Sequence, residues 1–219
     1  MSGAFIVIEG LEGAGKSTVI GAVSEYIKNK GHDVLCTREP GGTPMAEAIR
    51  DCVKQDWSTE EVTQETELLL MYAARSQLVH NVIKPAINQG QYVVGDRHNL
   101  SSLAYQGGGR QVPDLTMSQL KTMTLGSFSP NFTLYLDIEP ILGLSRARGR
   151  GELDRIEMAG IAFFERARER YLAEIKTMQQ QDAYSAAIID ASQDVDSVRE
   201  SVLNSLDAWY SEFHHASRS

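Results

Sequence analysis

Cysteine is scarce in this chain: Cys36 and Cys52 are the only two in 219 residues. Their spacing matches no metal-ligand pattern, and two thiols cannot form a disulfide framework. The expectation is two small core residues in a reducing compartment. No N-terminal signal pattern is present, and no apolar run is long enough to span a bilayer, so a soluble cytoplasmic protein with no membrane partner is expected. Positive charge is also in deficit. Lysine and arginine total 21 against 29 acidic residues, a net charge of −8. That balance argues against non-specific binding to nucleic acid or to an acidic membrane surface. There is no internal repeat and no low-complexity linker. What remains, 42% hydrophobic and 23% charged residues, suits one α/β domain with a sizeable core.

The most informative stretch is Gly10-Leu-Glu-Gly-Ala-Gly-Lys-Ser17. An apolar β-rich run, Phe5 to Glu9, precedes it, and a segment with helical apolar spacing, Thr18 to Val23, follows it. Strand, glycine-rich turn and helix are the context of a phosphate-binding P-loop. Gly10, Gly13 and Gly15 permit backbone angles and close approaches that a Cβ would block. Successive N–H groups, including those of Glu12, Ala14 and Thr18, then surround an anion at the start of the helix. Lys16 is placed to reach the β- and γ-phosphates of a nucleotide, and the Ser17 hydroxyl to ligate Mg²⁺.

Five β-like runs, at 5–9, 33–37, 91–95, 132–136 and 186–190, alternate with helical patterns, which predicts βαβ units around a parallel sheet. Ligands of such sheets gather at the carboxyl ends of the strands. After the second run comes Arg38-Glu-Pro-Gly-Gly-Thr-Pro44, a rigid loop, and then a helix that carries Arg50. A long helical pattern covers 60–88 with a wide apolar face from Leu68 to Ile83, interrupted by Arg75. Two readings of Arg75 stand: an ion-paired core arginine, or one that meets an anionic ligand. Asp96 and Arg97 follow the third run, the first suited to orienting Mg²⁺ and the second to clamping a phosphate. Ser101 to Gln106 supplies hydroxyl, amide and ring groups suited to a nucleobase and sugar. The glycines at 107–109 predict a mobile loop. Four arginines fall between Arg146 and Arg155, alternating in part with glycine, which predicts a lid over 146–157 that closes cations onto a phosphate. Helices at 160–180 and 195–213 complete a single domain over 1–213, and 214–219 is expected to fray.

Taken together, Glu9 to Ser17, Arg38 to Thr43, Tyr72-Ala-Ala-Arg75, Asp96-Arg97, Tyr105 to Arg110 and Arg146 to Arg155 resemble the bacterial thymidylate kinases, nucleoside-monophosphate kinases of the P-loop class. The resemblance covers Phe5 to about Asp190. It implies a three-layer P-loop kinase fold, a five-stranded parallel sheet with helices on both faces, usually as a homodimer. It also implies phosphorylation of dTMP by ATP with Mg²⁺. Under that resemblance Lys16 and the loop amides bind ATP phosphates, Ser17 and Asp96 serve the metal, and Glu12 lies near the sugar 3′-hydroxyl. Arg97 holds the dTMP phosphate. Arg75, Ser102 and Gln106 read the base, Tyr105 lies against the deoxyribose, and Pro40 and Arg50 approach the substrate. Arg146 packs near adenine. This P-loop contains no arginine, so the lid supplies the catalytic cation, first Arg150 and then Arg155. The Glu39–Pro40 bond is expected to be cis. Many relatives carry phenylalanine four residues before the base-reading arginine; here Met71 stands there, with Tyr72 beside it.

Two readings compete: another nucleoside or nucleotide kinase of the same fold that takes a different base, and, from a different class, a nucleotide-controlled switch or partition protein. The chain has no Asn-Lys-x-Asp guanine motif, and its arginine-rich segment and the region from Asp96 to Gln106 suit a phosphoryl acceptor instead.

Overall fold

The structure, a computed structural model, describes residues 3–149, 155–156 and 158–216. Among them, five strands form one all-parallel sheet: β1 (Phe5–Gly10), β2 (Val34–Arg38), β3 (Tyr92–Asp96), β4 (Phe132–Asp137) and β5 (Ala186–Asp190). Their spatial order is β2-β3-β1-β4-β5. Each lies within a residue or so of its expected place. β1 is central because it is apolar on both faces and buried throughout. Its register pairs Ile8 with Asp96 of β3 and Gly10 with Leu136 of β4, so the P-loop leaves the sheet between two neighbouring strands.

The helices are α1 (Lys16–Asn29), α2 (Pro44–Lys54), α3 (Gln64–Leu78), α4 (Lys84–Asn88), α5 (Asn99–Ser102), α6 (Asp114–Leu125), α7 (Pro140–Arg148), α8 (Ile161–Gln181) and α9 (Val195–Ala216). Alternation along β1 separates two packing faces. Ile6 and Ile8, with Val94 and Leu134, join a core that takes in Val19, Val23 and Ile27 of α1 and Val202 and Leu206 of α9. Phe5, Val7 and Val93 turn the other way, onto Leu78, Val79, Ile83 and Ala86. On α8, Tyr171 stacks on Tyr135 of β4, ring centroids 4.8 Å apart.

Several expectations are corrected. The helical pattern at 60–88 is broken by a π-helical turn, Val79–Ile83, and Leu69 and Ala73 stay exposed rather than joining a continuous apolar face. The glycines at 107–109 are not a loop. They end a π-helical segment, Leu103–Gly109, packed on α8. Bare backbone is what allows that approach: a Cβ on Gly108 would lie 2.7 Å from Arg170 Cβ, and one on Gly109 would strike the Phe163 ring. Both cysteines are exposed instead of core residues, because Cys36 lies on the edge strand β2 and Cys52 on the outer side of α2. Finally, α9 runs past 213. His214 pairs with the Tyr92 hydroxyl (2.9 Å) and packs on Tyr210, so the helix end is held by aromatic contacts.

Candidate active site

The P-loop is pinned from two sides. Gly10, Gly13 and Gly15 have φ of 145°, 76° and 87°, values that an L side chain rarely adopts. Gly13 also meets the backbone of Gly143 in α7, and a Cβ on Gly143 would lie 2.5 Å from the Glu12 carbonyl. Lys16 Nζ donates to the carbonyls of Gly10 (3.1 Å) and Leu11 (3.0 Å). Loss of hydration, aided by the charge of Arg97, lowers the Lys16 ammonium to about 8 against the opposing carboxylates of Glu12, Asp96 and Glu9. Ser17 and Thr18 open α1 on its exposed side.

Next to the loop, β3 ends at Asp96, whose Oδ1 is buried with no hydrogen-bond partner among the described residues. Arg97 has φ of 73°, an uncommon conformation held in place by contacts on every side. Its Nη2 donates to Glu12 Oε1 (2.6 Å), and its Nη1 to Gly10 O (2.9 Å) and Ser101 Oγ (3.2 Å). The Tyr105 hydroxyl donates to the other Glu12 oxygen (2.6 Å), and the guanidinium sits 5.0 Å from the Tyr105 ring centroid. Behind them lies Glu9, fully buried, accepting from Ser101 Oγ (2.5 Å), Tyr171 OH (2.9 Å) and the His98 amide (2.8 Å). Burial pushes its carboxyl up despite these donors and Arg97.

The far side of the same cavity is built on α3. Arg75 is buried and ion-paired, as the first reading of it expects. Its Nε donates to Glu39 Oε2 (2.6 Å), and its Nη2 to the His98 carbonyl (3.1 Å) and Ser102 Oγ (3.0 Å). Its buried Nη1 has no hydrogen-bond partner among the described residues. Burial would raise the Glu39 carboxyl, but Arg75 and His98 hold it below its usual range. The Glu39–Pro40 bond is cis, and Arg50 Nη1 donates to the Pro40 carbonyl (2.8 Å). Met71, not Tyr72, faces the cavity; Tyr72 is buried and its hydroxyl donates to Asn99 (2.9 Å). Gln106 Nε2 donates to Glu67 Oε1 (2.9 Å).

A single cavity of about 280 Å³ thus brings together most of the residues singled out above. Glu12, Gly13, Gly15, Lys16 and Ser17 line it from the P-loop. Asp96, Arg97, Ser102, Tyr105 and Gln106 line it from β3 and the helix beyond, and Pro40, Arg50, Met71 and Arg75 close the other side. Gly10, Ala14 and Thr18 belong to the loop and helix start but not to the wall. Arg146 lies elsewhere, donating to the carbonyls of Ala191 (2.8 Å) and Ser192 (3.3 Å) in the turn after β5. Arg155 also points away from the P-loop wall, donating to Val53 O (3.1 Å) and Glu67 Oε2 (2.7 Å). Arg150, the first choice for the lid cation, lies outside the described residues.

Sequence reasoning missed Glu9, Glu67 and Tyr171. Glu67 had a readable signal: Glu67, Met71 and Arg75 recur every four residues and so share one helix face. Tyr171 had none, because it reaches Glu9 only through the tertiary packing of α8.

Comparison with known proteins gives the family and the fold. Residues 8–202 match the family model described as thymidylate kinase. A thymidylate kinase of Alteromonas mediterranea is 57% identical over 204 residues, 93% of this chain and 89% of that protein. One of Vibrio parahaemolyticus is 56% identical over 212 residues, 96% of this chain and 99% of that protein. In fold, the chain is similar to the crystal structure of thymidylate kinase from Ehrlichia chaffeensis, with a TM-score of 0.72 at 24% identity over 94% of this chain and 99% of that one.

Proposed function

The chain belongs to the thymidylate kinase family and is a nucleoside-monophosphate kinase, and from that premise we propose that it transfers the γ-phosphoryl group of ATP to dTMP, giving dTDP and ADP. One observation carries the reading: a P-loop lysine, the Arg97–Glu12–Tyr105 cluster and Arg75 all line one cavity.

The acceptor is a phosphate oxygen, already anionic at neutral pH, so no general base is needed. The obstacle is the approach of two anions and the charge gathered on the leaving ADP. Alignment and cations meet it. Lys16 leaves its carbonyl partners for the ATP phosphates. Arg97, preset by Glu12, Gly10 O and Ser101, holds the dTMP phosphate, while Glu12 and Tyr105 border the deoxyribose. Arg75 and Ser102 meet the base edge, and Met71 packs on its face through a polarisable thioether. Ser17 and Asp96 would hold Mg²⁺, which neutralises charge on the β- and γ-oxygens when bound; the buried, unpartnered Asp96 Oδ1 fits that use. Arg150 and Arg155 of the 146–157 segment supply the remaining positive charge on lid closure, which also excludes water. Arg146 borders the adenine. The reading includes a homodimer working in the cytoplasm, with neither nucleic acid nor membrane as partner.

The test is ADP release from ATP with Mg²⁺, first with no acceptor and then with dTMP, dUMP, dCMP, dGMP, AMP and UMP in turn. Stimulation by dTMP far above the others is expected. Preference for another monophosphate would refute the base assignment, and no stimulation by any would refute phosphoryl transfer to a nucleotide.

A further inference from the structure

Each of two cavity residues on the base side rests on a buried carboxylate. Arg75 rests on Glu39, and Gln106 on Glu67. Glu67 is 1% exposed and also receives Arg110 Nη2 (3.2 Å) and Arg155 Nη2 (2.7 Å). Burial alone would raise its carboxyl, but the Gln106 hydrogen bond and the two guanidiniums hold it below its usual range. An ionised carboxylate only accepts hydrogen bonds. The group of Gln106 that meets Glu67 must therefore be its NH₂, which leaves the amide carbonyl for the cavity that Gln106 lines.

We infer that Glu67 is a specificity-determining positioning residue: it fixes which way round the Gln106 amide stands, so that an acceptor is left on the cavity that Gln106 lines together with the Arg75 guanidinium, which only donates. One donor and one acceptor match a pyrimidine with a 4-oxo group and a 3-N–H, as in thymine and uracil. They mismatch cytosine, which offers a 4-amino donor and a bare N3. Glu67 touches neither base nor phosphate in this account; it acts through Gln106. The inference rests on the function proposed above.

The test compares kcat/KM for dTMP and for dCMP in the wild-type enzyme and in Glu67→Gln. The variant keeps the side chain's shape but can donate as well as accept, so the Gln106 amide is free to turn over. The ratio of dTMP to dCMP is expected to fall by at least about tenfold, since a mispaired polar group in a closed site costs that much or more. A loss of rate shared equally by both substrates, as a purely structural role or the release of Arg155 would give, leaves the ratio unchanged and overturns the inference. Should Glu67→Gln fail to fold by circular dichroism, Gln106→Leu removes the carbonyl directly, and an unchanged ratio there overturns it as well. A wild-type enzyme with no preference for dTMP overturns the proposed function and this inference together. A wild-type preference that the variant leaves intact overturns this inference alone.

Discussion

At the residue scale, the site is a set of charges arranged before any substrate arrives. Arg97 is the clearest case. Its backbone takes a conformation uncommon outside glycine, and Glu12, Gly10 and Ser101 secure the side chain. Arg97→Ala removes the proposed phosphate clamp and the ion pair of Glu12. We expect KM for dTMP to rise roughly a hundredfold while KM for ATP changes little, measured by steady-state kinetics with each substrate varied; an unchanged KM for dTMP would exclude the role. Lys16 gives a pH signature. Its ammonium is lowered to about 8, so the free enzyme loses that charge as pH rises through 8. Bound phosphates favour the charged form and raise the value again. Accordingly kcat/KM for ATP falls above about pH 8, while kcat at saturating ATP holds to higher pH. A flat kcat/KM profile between about pH 7 and about pH 9.5 would contradict this.

At the scale of elements, the P-loop and α7 meet glycine to glycine. Gly13 and Gly143 each approach backbone where a Cβ has no room. Gly143→Ala therefore has to displace either α7 or the loop at Glu12. The expected result is a several-fold higher KM for ATP together with a stability loss of about 1–3 kcal/mol, read from denaturant unfolding. The glycines at 107–109 teach the same point from the other side. Read along the chain, three glycines suggest a loop; in the fold Gly108 and Gly109 are the bare surface on which α8 rests. The packing matters to the site because Tyr105 and Gln106 belong to that same π-helical segment.

At the scale of the whole molecule, the sheet separates function from stability. The carboxyl ends of β1, β2 and β3 carry the loop, Arg38 and Asp96 that face the cavity. The amino ends of β3 and β4 carry an aromatic cluster. Trp209 of α9 stacks on Phe132, centroids 5.2 Å apart, and its indole N–H donates to Asn131 O (3.1 Å). Trp209→Ala should cost about 3–5 kcal/mol of stability yet leave kcat/KM of the folded enzyme near wild type. Chemical denaturation alongside kinetics below the transition checks this, and a large kinetic defect in fully folded protein would refute the separation.

Much of this protein was determined by local chemistry and is legible without coordinates. The P-loop needs only consecutive residues: glycines for the angles, Lys16 and Ser17 at the helix start. Strand positions follow from short apolar runs between helical patterns. Asp96 and Arg97 are singled out because ligand sites cluster at the carboxyl ends of parallel strands, and Arg75 because it interrupts the apolar face of a helix. The tertiary structure alone decided what those side chains rest on. Arg75 pairs with Glu39 and has one buried N–H with no hydrogen-bond partner among the described residues; Met71 rather than Tyr72 faces the cavity; Tyr171 supports Glu9 from 162 residues away. The reason is physical. Helical and strand periodicity and turn angles are set by neighbours in the chain, whereas a buried ion pair is set by which distant groups share a space that excludes water, and sequence spacing does not encode that distance.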